Sequence, residues 1–69
     1  MTNPKTPRAA TIVETPSGNG WCYVIEEDES GEVHNLCGVG APAGGDVGDK
    51  GTVVYQTGSN FGLWFWSAQ

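Results

Sequence analysis

Trp21-Cys22-Tyr23-Val24-Ile25-Glu26-Glu27 and Glu32-Val33-His34-Asn35-Leu36-Cys37 flank the tetrapeptide Asp28-Glu29-Ser30-Gly31. The flanks are rich in β-branched and aromatic residues, and the tetrapeptide is polar with a glycine at its end, so the stretch reads as a β-hairpin. Alternation puts Trp21, Tyr23 and Ile25 on one face of the first strand and Cys22, Val24 and Glu26 on the other. Gly31 supplies the residue that can turn left-handed without a Cβ clash. Two registers are open. A four-residue loop pairs Glu27 with Glu32 and sets Cys22 opposite Cys37, whereas a three-residue loop with a bulge at Gly31 pairs Asp28 with Glu32 and sends the two thiols to opposite faces.

Working outward, Ala10 to Glu14 is a strand with Thr11 and Val13 on one face and Ile12 on the other, and Thr15-Pro16-Ser17-Gly18-Asn19-Gly20 breaks it as a turn or loop. Beyond the hairpin, Gly38 to Gly51 is glycine-rich and small, which makes it an irregular connection. Thr52 to Thr57 is the fourth strand. Gly58-Ser59-Asn60 turns the chain through Phe61 and Gly62 into the fifth, Leu63 to Ser67. No stretch keeps a 3.6-residue period, and glycines recur too often for a helix to persist. The expected fold is therefore all-β: a small five-stranded antiparallel barrel or strongly bent sheet, with no helix beyond one turn. Closure, or near closure, removes the edges of the last strand.

The 69 residues suffice for one domain, assigned to residues 9–69, preceded by a polar, proline-containing arm over residues 1–8 that is expected to be flexible. At this size folding hides only about 60% of the surface of the unfolded chain, so one core carries the stability. The first ten residues lack the apolar run of an export signal and no window is long enough to span a bilayer, which leads to the expectation of a cytoplasmic protein. Five short strands, with Val47-Gly48-Asp49-Lys50-Gly51-Thr52-Val53 leading into one of them, resemble an SH3-like small barrel. The resemblance is to the fold. It transfers no ligand residues and implies no proline-rich ligand, and a barrel of the oligonucleotide-binding type fits the length and charge less well.

Charge is unevenly placed. Lys5 and Arg8 lie in the first ten residues, which leaves Lys50 alone against all eight acidic residues in the remainder. Binding to nucleic acid depends on cations that neutralise phosphates, so the charge of this body argues against nucleic acid as a partner, and no membrane partner is expected. A basic protein surface is the favoured partner. Five carboxylates, Glu26, Glu27, Asp28, Glu29 and Glu32, gather around the hairpin turn and form the expected acidic half of a partner-binding surface.

Leu63-Trp64-Phe65-Trp66 supplies the aromatic half. Alternation separates Leu63 and Phe65 from Trp64 and Trp66, and both faces are apolar. One tryptophan is read as structural. The other, with Tyr55 or Trp21 near it, is read as an interface anchor, because aromatics dominate binding hot spots. The candidate partner-binding residues are thus Glu26, Glu27, Asp28, Glu29, Glu32, Tyr55, Trp64 and Trp66.

Other residues that could carry chemistry have structural readings. With no export signal, Cys22 and Cys37 are read as free, partly buried thiols, with a bridge as the alternative. His34 is read as a surface histidine, since Cys37 falls on the opposite strand face and no serine, histidine and acid can be aligned into a triad. Two cysteines and one histidine fall short of a structural zinc site, and the acidic run lacks the alternating ligands of a calcium loop. No cofactor is expected. The resulting reading is a non-enzymatic protein-interaction module, of the kind found among accessory or inhibitory proteins of bacteria and their viruses. The alternatives are a structural subunit of an assembly and a small-barrel nucleic-acid binder.

Overall fold

A computed structural model describes residues 6–57 and 62–69. It contains β1 (Arg8–Glu14), α1 (Pro16–Asn19), β2 (Tyr23–Glu27), β3 (Val33–Leu36), β4 (Lys50–Thr57) and β5 (Gly62–Ala68). The strands form one antiparallel sheet in the order β3-β2-β1-β4-β5, curled so strongly that β3 approaches β5. The first three strands form a meander, and β4 returns after a long connection to lie beside β1, which is a Greek key. The expectation of an all-β fold, a five-stranded antiparallel barrel or strongly bent sheet, is met by this curled half-barrel. The expected turn at Gly58-Ser59-Asn60, with Phe61, lies outside the described residues, as do residues 1–5 of the expected arm; Arg8 already belongs to β1.

The curl has local causes. Ile12 pairs with Ile25 but Glu14 pairs with Val24, so Val13 is an extra residue in β1, and such a bulge bends and twists its strand. Just before the bulge, on the side of β1 away from β2, the backbone of Ile12 bonds to the end of the β3–β4 connection: its N–H donates to the Asp49 carbonyl at 3.0 Å and its carbonyl accepts from Gly48 at 2.8 Å. The Thr15–Gly20 break closes as one helical turn, with Pro16 at its start and Gly20 left-handed at its end (φ 70°) donating to the Pro16 carbonyl.

The concave face carries the core. Ala10, Ile12, Ile25, Leu36 and Val53 are buried there, and Tyr23, Ala41, Trp64 and Trp66 pack against them. Trp64 and Trp66 therefore both point inward, and Leu63 and Phe65 lie on the convex face. The Trp66 indole lies over Gly51, where a Cβ would collide with the ring and with the Ser67 carbonyl. The β5 edge away from β4 is capped at one point, where Trp66 N–H donates to the Gly40 carbonyl at 2.9 Å.

The hairpin adopts the four-residue loop: Tyr23 pairs with Leu36 and Ile25 with His34, and Glu27 N–H donates to Glu32 at 2.8 Å. One step beyond Tyr23 and Leu36, Cys22 and Cys37 face each other with Cα atoms 5.1 Å apart and form a disulfide. The reading of free thiols is thereby corrected. It rested on an argument about compartment, whereas register is what brings the sulfurs together.

Candidate functional site

At one end of the half-barrel converge the start of β1, the end of β2, the start of β3, the end of β4 and the start of β5. They bring Arg8, Glu27, His34, Tyr55 and Trp64 into one cluster. Strand alternation puts Glu27 on the same face as Tyr23 and Ile25, so its carboxylate enters the barrel and is only 3% exposed. A buried carboxylate requires donors, and it has several. Arg8 Nη1 donates to both oxygens at 3.3 Å, Ser30 Oγ donates to Oε1 at 3.0 Å, and His34 Nε2 lies 2.6 Å from Oε2. Burial pushes the Glu27 carboxyl up, but the contacts to His34, Ser30 and Arg8 outweigh it and hold the group below its ordinary range. Because the ionised carboxylate only accepts, the hydrogen in the 2.6 Å contact belongs to His34 Nε2.

His34 is itself buried, and this corrects its reading as a surface residue. Its ring stacks on Trp64 with centroids 4.2 Å apart, and its Nε2 also lies 3.6 Å from Glu32 Oε2. Trp64 in turn packs against Tyr55 at 5.3 Å and carries the Arg8 guanidinium 5.4 Å above its ring.

The acidic tip is thus divided. Glu27 is interior and offers nothing to a partner directly, whereas Glu26, Asp28, Glu29 and Glu32 are exposed. Asp28 is tied down: it accepts from the Thr11 hydroxyl at 2.7 Å and lies 3.4 Å from Lys50 Nζ. The Thr11 hydrogen bond first, and the charge of Lys50 with it, hold its carboxyl below the ordinary range. Glu26 projects from the convex face, paired across the strands with Thr11 and with exposed Val33. Tyr55, Trp64 and Trp66 are half-buried on the concave face and do not join the exposed acids in one flat patch. Trp21, 65% exposed, lies just before β2, at the end opposite Glu27.

Arg8, which the sequence reading puts in the arm, belongs to the cluster. The signal was the alternation itself: a glutamate in phase with Tyr23 and Ile25 needs an inward cation, and Arg8 is in phase with Ala10 and Ile12. Comparisons of the chain with family models, with curated proteins and with solved structures return no match.

Proposed function

We propose that the domain is a non-enzymatic docking module for a protein with a basic surface. The observation that carries this reading is the exposure of Glu26, Asp28, Glu29 and Glu32 around a hairpin whose shape is fixed from inside by Glu27, in a chain of net charge −5. Exposed like charges repel one another and contribute nothing to the core, and a cluster held on a rigid turn accelerates encounter with an opposite charge. The Cys22–Cys37 bridge favours an oxidising compartment over the cytoplasm, because reducing compartments do not maintain such bonds.

A photo-crosslinking residue at position 29, with a control at exposed Ser67, tests the reading in the source cell. Crosslinks to a basic protein from position 29 and none from position 67 support it. Crosslinks from position 67 alone, or from neither position, overturn it.

A second reading rests on topology. The SH3-like assignment relies on the strand count and the Val47–Val53 lead-in, but a Greek-key order in a partly open five-stranded barrel is also the architecture of oligonucleotide-binding domains. Nucleic-acid crosslinks from position 55 would favour that reading over the first.

A further inference from the structure

We propose that Glu27, Glu32 and His34 form a binding site for one Zn2+ ion per chain. One ligand atom from each lies within 4.8 Å of the other two. All three residues come from a single hairpin, closed by a disulfide, so the site does not wait for distant parts of the chain to assemble. His34 Nε2 stands between the carboxylates, 2.6 Å from Glu27 Oε2 and 3.6 Å from Glu32 Oε2. Zinc bonds of about 2.0–2.1 Å in a tetrahedron put neighbouring ligand atoms about 3.3 Å apart. The longer of the two gaps at His34 is within a few tenths of an ångström of that value, and the Glu32 side chain, exposed and free to swing, adjusts the separation between the two carboxylates. The shorter one is the hydrogen bond that the ion would replace: the neutral imidazole moves its proton from Nε2 to Nδ1 and presents the Nε2 lone pair to the metal.

The surroundings match what a metal ligand set requires. Ser30 donates to Glu27 Oε1 and Arg8 to both oxygens, which orients the carboxylate, as second-layer contacts do in metal sites, with Oε2, the oxygen beside His34 Nε2, as the ligand atom. The Trp64 ring fixes the plane of His34. Two carboxylates against one guanidinium leave a net negative site, and Glu32, 55% exposed, provides the opening through which an ion enters and a water completes the fourth position. Imidazole as a ligand selects zinc over calcium or magnesium, which require more oxygen donors than the site holds. The site shares Glu32 with the proposed docking surface but does not rest on that reading, because its test uses the metal alone.

Titrating the disulfide-intact full chain with ZnCl2 by calorimetry should give one saturable site per chain, and Co2+ should give a visible absorption band at the same stoichiometry. Glu32→Gln, which removes an exposed ligand and leaves the core untouched, should weaken zinc at least about tenfold, and His34→Gln should abolish saturable binding. Asp46→Asn, which makes the same change in net charge on a distant turn, should leave the affinity within about twofold. The absence of saturable binding up to millimolar zinc overturns the proposal. So does an equal loss in Asp46→Asn and Glu32→Gln, which would mean diffuse attraction to an acidic surface.

Discussion

Oε2 of Glu27 lies 2.6 Å from Nε2 of His34, and both side chains are almost fully buried. The contact joins β2 to β3, and with Arg8 it extends to β1, so a polar pair inside the barrel fixes the hairpin that carries the exposed acids. Replacing Glu27 by Gln should cost about 3 kcal/mol, because Arg8 is left without its counter-charge and buried His34 without its carboxylate acceptor. Urea unfolding measures it. A loss below about 0.5 kcal/mol would mean that the network is dispensable.

The same carboxylate makes stability depend on pH. Its folded value is depressed, so its contribution is present above the unfolded value of about 4.3 and is lost as pH falls through the lower folded value. Unfolding free energy of the native chain should fall between about pH 5 and pH 3, and the fall should be shallower in Glu27→Gln. Parallel curves would assign the acid loss to other groups.

The bridge closes a loop with a sequence separation of 15, for which chain entropy gives about 3 kcal/mol. In a domain this small that is a large share of the total. Adding reductant should lower the urea midpoint sharply, and the unfolded, unreduced chain should contain no titratable thiol. One free thiol per cysteine would contradict the pairing.

Gly51 should not tolerate a side chain. Gly51→Ala drives a methyl into the Trp66 ring and the Ser67 carbonyl, and overpacking of this kind costs about 1–3 kcal/mol. Trp66→Leu alone should also destabilise, since it removes a ring packed on the core, but the double variant should be more stable than the sum of the two losses implies. Strict additivity in a double-mutant cycle would mean that the ring does not cover the glycine.

Much of the fold was legible in short runs bounded by turn residues, because period-2 alternation and glycine placement are local properties. All five strands lie within one to two residues of their expected bounds, and the register that sets Cys22 against Cys37 was one of the two that loop chemistry allows. The interior of the site was less legible. Glu27 reads as one member of an acidic run, and its burial follows only when the alternation of Tyr23 and Ile25 is continued by one more step. His34 appears solvated until Trp64, thirty positions later in the chain, is brought over it by the return of β5, which is a non-local event that no window around His34 contains. Arg8 precedes the first apolar run, which by itself marks a strand only from Ala10. For the two tryptophans alternation gave the pairing but not the side, since Leu63 and Phe65 make the opposite face equally apolar.

The docking role is tested most directly by the rates at which the crosslinked partner, once purified, binds the native chain and the triple variant Glu26→Gln, Glu29→Gln, Glu32→Gln. All three positions are exposed and none serves the buried network by its charge except Glu32, whose contact to His34 is the long one. The variant should remain folded. Its association rate should fall and the dependence of that rate on salt should flatten, with dissociation little changed, because exposed charges act mainly on encounter. An association rate and salt slope equal to those of the native chain would contradict the acidic hairpin as the docking surface.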